Sequence, residues 1–136
     1  MKSVNPATGE TIASYTNMNS PEIATIAQQA NEAQKKWRKR SFDERATLLR
    51  KAADLLESNK EEYAEIMANE MGKPLPQGES ESEKCAWVCN YYADHAETFL
   101  ENEGIESDAD KSYITYNPLG TVLATLSLCR SCTDGR

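Results

Sequence analysis

Four cysteines are the residues of this sequence with the most evident chemical potential, and they form two close pairs. Cys85 and Cys89 are separated by one helical turn, and Cys129 and Cys132 have the C-x-x-C spacing that zinc sites use. Four thiolates would be enough to hold a structural zinc ion. The sequence has no knuckle glycines and no flanking ligand pattern, and Cys85 and Cys89 lie on an apolar stripe, where cysteine packs as a small hydrophobe. Packing is therefore the favoured interpretation, and a zinc-binding module is the alternative.

The other reactive groups predict no active site. His95 is the single histidine, so the chain has no histidine pair for a metal or a proton shuttle, and we expect a structural or exposed role for it. No glycine-rich phosphate loop is present. The carboxylates fall on polar helix faces or in first helical turns, where solvation and the helix dipole explain them. They are Glu61, Glu62, Glu65, Glu70, Glu79, Glu81 and Glu83. The residues alone therefore predict no catalytic, cofactor-binding or metal-binding side chain.

The charge balance argues against nucleic-acid and membrane partners. The 136 residues carry a formal net charge of -7, which opposes attraction to polyanions. The basic run "KKWRKR" at Lys35 to Arg40 is explained as a solvated helix end with Trp37 on the apolar face. The opening Met1 to Pro6 has no apolar signal region, and the longest apolar run, Thr121 to Leu128, is too short to span a bilayer. We expect a cytoplasmic protein with reduced thiols.

Hydrophobic periodicity predicts four amphipathic helices. Ser20 is predicted as the N-cap of the first helix, with Pro21 at its first position. Ser41 and Glu44 form a capping box that starts the second helix. The predicted apolar faces are Ile23, Ile26, Ala27, Ala30, Ala33 and Trp37 in the first helix, and Leu48, Leu49, Ala52, Leu55 and Leu56 in the second.

The third and fourth helices follow the same kinds of signal. Ser58 and Glu61 repeat the capping box, and Gly72 is predicted as the C-terminal cap of the third helix. The fourth helix is predicted to start near Gly78 or Glu79 and to run towards Leu100. Their predicted apolar faces are Tyr63, Ile66, Met67 and Met71, then Cys85, Val88, Cys89, Tyr92, Ala96 and Phe99.

Short extended segments complete the chain. "NPATGE" at Asn5 to Glu10 is a strong turn signal between two short stretches and predicts a hairpin or an extended arm. Ser112 to Tyr116 and Thr121 to Leu126 are predicted strands whose one available partner in the chain is the weak N-terminal arm. Their open edges predict mobility or self-association beyond Gly104. The fold class predicted is mainly α, with about four helices plus short strands.

Three motifs carry a resemblance to a known family. "NPATGE" at Asn5 to Glu10, "EMGKPL" at Glu70 to Leu75 and "ITYNPLGTVLA" at Ile114 to Ala124 resemble the start of the NAD(P)-dependent aldehyde dehydrogenases. With "YYADHAE" at Tyr91 to Glu97, the pattern looks like the succinate-semialdehyde dehydrogenase branch. The resemblance covers Ser3 to about Ala124. It implies a helical region that precedes a doubly wound α/β cofactor domain in a longer, homo-oligomeric oxidoreductase that uses NAD or NADP.

The chain departs from that family after Ala124. The family continues with Pro-Trp-Asn, whereas this sequence continues "TLSLCRSCTDGR", which resembles an out-of-frame terminus. The resemblance implies that the nucleophilic Cys, the general-base Glu and the cofactor glycines lie further along, so no site residue is carried over. We expect a unit of residues 1–124, a divergent tail of residues 125–136, and a fragment that is inactive alone. The alternative is a small helical interaction module, with zinc bound through Cys85, Cys89, Cys129 and Cys132.

Overall fold

The computed structural model describes residues 1–124 and is mainly helical, as predicted. The predicted tail at 125–136, with Cys129 and Cys132, lies outside the described residues. None of the helices within residues 1–124 has both the length and the apolar character needed to cross a membrane. The elements in chain order are β1 (Lys2–Val4), β2 (Thr11–Ser14), α1 (Ser20–Trp37), α2 (Phe42–Ser58), α3 (Lys60–Met71), α4 (Leu75–Phe99), β3 (Glu103–Gly104) and β4 (Tyr113–Ile114).

Side-chain caps start the first two helices. The cap of α1 is Asn19 and not Ser20: the Asn19 side chain accepts from the Glu22 amide at 3.0 Å, and the Glu22 carboxylate accepts from the Asn19 amide at 2.8 Å. Asn and Ser are equally good N-caps, and the reciprocal partner Glu22 decides between them. The predicted capping box of Ser41 and Glu44 is confirmed at the start of α2.

The predicted capping box of Ser58 and Glu61 is wrong. α2 continues through Ser58, whose hydroxyl donates to the Leu55 carbonyl at 3.3 Å. The side-chain amide of Asn59 donates to the same carbonyl at 2.9 Å. Both side chains therefore bind a carbonyl at the end of α2, and α3 starts without a side-chain cap. The end of α3 is confirmed at Gly72, which adopts φ 74, a left-handed conformation that glycine reaches without strain.

The fourth helix starts earlier than predicted, at Leu75. Proline is tolerated in a first turn because the amides there have no intrahelical acceptor, so Pro76 does not delay the start. The amides of Gln77 and Gly78 already donate to the Pro74 carbonyl, at 3.0 and 3.1 Å. The helix ends at Phe99, close to the predicted end.

Helices α2, α3 and α4 form one packed unit, in which α4 packs on both α2 and α3. The residues that are buried at the helix contacts of this unit are small. A Cβ added at Gly78 would lie 2.8 Å from the Cα and Cβ of Ala64, so the two backbones approach as closely as glycine allows. We name these residues the small-residue seam: Ala46, Ala53, Ala64, Gly78, Ser82 and Ala86.

The seam corrects the predicted helix faces. Leu48 and Leu55 in α2, Ile66 in α3, and Tyr92 and Phe99 in α4 are all exposed. Close helix packing selects small residues at the contact, so the large side chains are displaced to the rim of each interface. Other members of the predicted faces, such as Leu49, Leu56 and Met67, are half-buried, so these faces are confirmed in part and their centres are the small residues.

Helix α1 is not part of the packed unit. It contains no buried residue, and Ile23, Ile26 and Trp37 of its predicted apolar face are 55%, 48% and 42% exposed. Its caps and its acidic first and basic last turns define the helix locally. Among the described residues, the apolar face of α1 approaches α2 and α4 only at its end, where Trp37 lines a cleft between them.

The strands form two separate antiparallel ribbons. β1 pairs with β2 around the predicted turn, in which the Asn5 side chain accepts from the Ala7 and Thr8 amides at 2.9 and 3.2 Å. The predicted strand Ser112 to Tyr116 is reduced to β4, and it has a partner, β3, contrary to the prediction.

Thr121 to Ala124 is not a strand, and the rest of that prediction, up to Leu126, lies outside the described residues. A strand needs a hydrogen-bonding neighbour, and within residues 1–124 none is available to this segment. The self-association expected from open edges stays a prediction.

Candidate functional site

Two of the sequence motifs meet in space. Pro6 of the N-terminal turn faces Gly72, where a Cβ would lie 3.3 Å from the Pro6 Cγ. The Ser3 hydroxyl donates to the Glu70 carboxylate at 2.9 Å, and the Asn5 side-chain amide lies 3.5 Å from the Asn69 side chain. "NPATGE" and "EMGKPL" are therefore two sides of one contact that fixes the first ribbon on the end of α3. The contacting residues are more than sixty positions apart in the sequence, and the sequence analysis did not predict this contact.

Cys85 lies on an open groove at the start of α4. The groove has a volume of about 770 Å³, and an ion pair between Lys73 and Glu81 lies on its wall. Cys85 is exposed, so the prediction that it is a packing residue is wrong, while Cys89 is half-buried. Gly78, Ser82 and Ala86 are the buried residues of α4, and Cys85 lies beside this row, on the edge that borders the groove.

The zinc hypothesis finds no support in the described residues. Within 1–124, no group of three or more His, Cys, Asp and Glu side chains is close enough to hold a metal ion. A tetrahedral structural site needs four ligands, and Cys85 and Cys89 supply two. Cys129 and Cys132 lie outside the described residues.

His95 is exposed and belongs to a row of stacked rings along α4. Its Nδ1 lies 2.8 Å from the Tyr91 carbonyl, and its ring stacks on Tyr91 with centroids 4.5 Å apart. The rise of an α-helix places His95 about 15 Å from Cys85 and about 9 Å from Cys89 along the axis. A nucleophile and its base must be within hydrogen-bonding reach, so this histidine does not activate either thiol.

A second concave region lies where the end of α1 meets α2 and α4. It encloses about 380 Å³, and its walls include Trp37, Phe42, Leu49 and Tyr92. Two cationic groups are already engaged there. The Arg45 guanidinium lies 4.3 Å from the Phe42 ring centroid, and Arg50 donates to Asp94 at 2.6 Å. The cleft is thus an aromatic-lined corner whose arginines already have partners, rather than a free anion site.

The basic run from Lys35 to Arg40 is solvent-exposed, as expected of a helix end. Lys35 donates to Glu32 at 2.7 Å, and this hydrogen bond holds the pKa of Glu32 below its usual range. The Arg40 guanidinium lies 5.9 Å from the Trp37 ring centroid. These local contacts explain the run without a polyanionic ligand.

The N-termini of α1, α2 and α3 do not fit the phosphates of a dinucleotide. Phosphate binds helix N-termini through free backbone amides. At α1 and α2 the Glu22 and Glu44 amides already donate to the capping side chains, and the carboxylates of the same two residues lie at these ends. α3 opens with Glu61 and Glu62 in its first turn. An anion there would meet carboxylates of like charge.

One titratable contact holds the second ribbon together. The Tyr116 hydroxyl donates to the Glu103 carboxylate at 2.7 Å, and this hydrogen bond raises the pKa of Tyr116. Because the shift is upward, the contact is complete below the ordinary tyrosine pKa and is lost as the pH rises through the raised value. It is a structural contact between β3 and the segment after β4.

Sequence comparison identifies relatives over nearly the whole chain. The sequence pattern of the aldehyde dehydrogenase family matches residues 1–127. A probable NADP⁺-dependent succinate-semialdehyde dehydrogenase of Synechocystis is 42% identical over 123 residues, which are 90% of this chain and 27% of the relative. The succinate-semialdehyde dehydrogenase of Mycobacterium leprae is 38% identical over 126 residues, 90% of this chain and 28% of the relative.

Structural comparison leads to the same group of proteins. The crystal structure of succinic semialdehyde dehydrogenase from Streptococcus pyogenes, in complex with NADP⁺, superposes with a TM-score of 0.78 at 33% identity. The superposition covers 84% of this chain and 25% of that enzyme. The chain therefore spans about a quarter of the length of the proteins that it matches.

Proposed function

Because this chain belongs to the aldehyde dehydrogenase family, we propose that it is the N-terminal helical part of a succinate-semialdehyde dehydrogenase. The observation that carries the proposal is the 42% identity to the Synechocystis relative along 90% of the chain. The reaction of such an enzyme is the oxidation of succinate semialdehyde to the carboxylic acid with NAD⁺ or NADP⁺. We assign the role of N-terminal helical part to residues 1–124 and propose that the tail, residues 125–136, has no part in it.

The proposed contribution of the described residues is structural. The α2–α4 unit provides a preformed support, and the contact between Ser3 and Glu70 fixes the N-terminal ribbon to it. The parent would be an α/β enzyme whose doubly wound domain holds the cofactor, in homo-oligomers. The nucleophile, the base and the phosphate-binding turn belong to the part of the family fold that this chain does not span.

We therefore propose that the isolated chain is inactive towards aldehydes. Aldehyde oxidation by this family needs a thiolate positioned next to a base and to oxyanion donors. Cys85 and Cys89 form no hydrogen bond to a base among the described residues, and His95 is held away from both by the rise of α4.

A chimeric enzyme tests the proposal. Residues 1–124 would replace the matching part of the Synechocystis relative, with the unmodified relative and the isolated 136-residue chain as controls. The chimera is expected to form NADPH from NADP⁺ in the presence of succinate semialdehyde, and the isolated chain to form none above a mock preparation. A folded chimera without this activity, or an active isolated chain, would overturn the proposal.

A further inference from the structure

Helix α4 has a second apolar side that the packed unit does not use. Trp87, Tyr91, His95 and Phe99 recur every fourth residue, and we name them the aromatic ladder. Successive ring centroids are 5.5, 4.5 and 6.0 Å apart, and all three pairs are stacked. The ladder extends about 18 Å along the helix axis. It is one continuous surface and not a scatter of single aromatic residues.

The ladder and the small-residue seam lie on opposite sides of α4. At 100° per residue, the ladder is centred well away from Gly78, Ser82 and Ala86, which are buried against α2 and α3. Trp87 is 61% exposed and Phe99 is 48% exposed. A helix that is apolar on two sides is typical of the interior of a larger protein, and within residues 1–124 only one of the two sides of α4 has a partner surface.

The ladder has the composition of an interface centre. Trp and Tyr are enriched among residues that contribute most to protein association, because each combines a large apolar body with a polar tip. The stacking of each ring on the next already limits the ring orientations, which lowers the entropy lost when a partner binds. Trp87, which is more exposed than Tyr91 or Phe99, and Tyr91, which stacks on it, are the strongest candidates for such a role.

We infer that the aromatic ladder is the docking surface for the remaining part of a succinate-semialdehyde dehydrogenase chain; this inference rests on the proposed function. The chain superposes with a TM-score of 0.78 on 25% of the Streptococcus pyogenes enzyme, so its helices have the arrangement that they have inside a complete enzyme. Most of that enzyme lies outside the superposed part and is available to cover the outer side of α4. A second copy of this chain is the competing occupant, and the net charge of -7 on each copy opposes it.

The first test is association in trans. The tagged 136-residue chain would be co-expressed with the part of the Synechocystis relative that follows the matched region, and the complex would be purified through the tag. The unmodified chain is expected to recover this partner. The double variant Trp87→Ala and Tyr91→Ala is expected to recover it about tenfold less well or worse, as for central interface residues. Tyr15→Ala is the matched control, since Tyr15 is 52% exposed and lies outside the ladder.

The second test needs no association of separate chains. In the chimera of residues 1–124 with the rest of the relative, the double variant is expected to lower the midpoint of thermal unfolding. In the isolated chain it is expected to leave the midpoint unchanged, because the rings are exposed there. Alanine is a good helix former, so α4 itself is preserved. Tyr15→Ala is expected to change neither midpoint.

Three outcomes would overturn the inference. They are equal recovery of the partner by the double variant, an unchanged midpoint in the chimera, and a dimer of the isolated chain that the double variant abolishes in light scattering. None of these measurements uses enzyme activity. A chimera that folds through the ladder but does not oxidise succinate semialdehyde would refute the proposed function and leave the docking surface in place.

Discussion

Helix α1 and the α2–α4 unit are built from the same local signals, yet only the second is packed. Both α1 and α2 begin with a reciprocal capping box, at Asn19 and at Ser41, and both have one apolar face. α2 buries Ala46 and Ala53 against α4, whereas α1 buries nothing. Caps and periodicity decide whether a segment is helical, and the partner surfaces that the chain itself contains decide whether the helix is buried.

Amide hydrogen exchange should separate the two regions most strongly. Exchange of the α2 amides between Leu48 and Leu56 requires opening of the packed unit. Exchange of the α1 amides between Ile26 and Ala33 requires only local fraying of that helix. We expect protection in α2 to exceed that in α1 by a factor on the order of a thousand. Mass spectrometry of peptic peptides measures both in one experiment. Equal protection would mean that α1 is part of the cooperative unit.

Replacing one alanine by leucine in each region tests whether only the α2–α4 unit is closely packed. Ala64 is 1% exposed and faces Gly78, so Ala64→Leu forces three extra carbon atoms into the seam. Overpacking of this kind costs about 1–3 kcal/mol of the free energy of unfolding. Ala33→Leu is the matched control on the exposed face of α1, and it is expected to change stability by about 0.5 kcal/mol or less. Urea denaturation measures both, and similar losses would contradict the assignment of the seam.

The two capping boxes give the smallest expected difference. Ser41→Ala is expected to lower the free energy of unfolding by about 1 kcal/mol, because α2 unfolds with the packed unit. Asn19→Ala removes an equivalent cap, but it is expected to reduce the helical circular dichroism of α1 without moving the main transition. If Asn19→Ala destabilised the main transition as much as Ser41→Ala, α1 would have to be coupled to the unit.

Local features of the fold were predictable from the sequence, and the assignments that failed share a physical cause. The Ser41 box, the Gly72 cap and the turn at Asn5 depend on residues within a few positions of one another, and all three are confirmed. The Ser58 box failed because the end of one helix and the start of the next compete for the same side chain. The inward faces were predicted only in part, because close helix packing selects small residues, whereas hydrophobic periodicity gives most weight to large ones.

The surfaces for function were less accessible to sequence analysis. The "YYADHAE" segment was interpreted only as a marker of the family. The i, i+4 spacing of Trp87, Tyr91, His95 and Phe99 also indicates that these rings are neighbours on one side of a helix. The contact between Pro6 and Gly72 joins segments far apart in the chain, and a single sequence carries no signal for it. The sequence motifs were sufficient to indicate the family. The buried and exposed faces of the helices became clear only from the structure.

The composition of the small-residue seam also fixes how this chain should respond to temperature. Its buried residues are alanine, glycine and serine, which withdraw little apolar area from water. The heat capacity of unfolding is set mainly by the apolar area that becomes hydrated, so the heat-capacity increment here is small for a chain of 136 residues. A small increment lowers the curvature of stability against temperature. The stability of the isolated chain should therefore keep rising on cooling below room temperature, where a chain with a large increment passes through its maximum at about 10–20 °C.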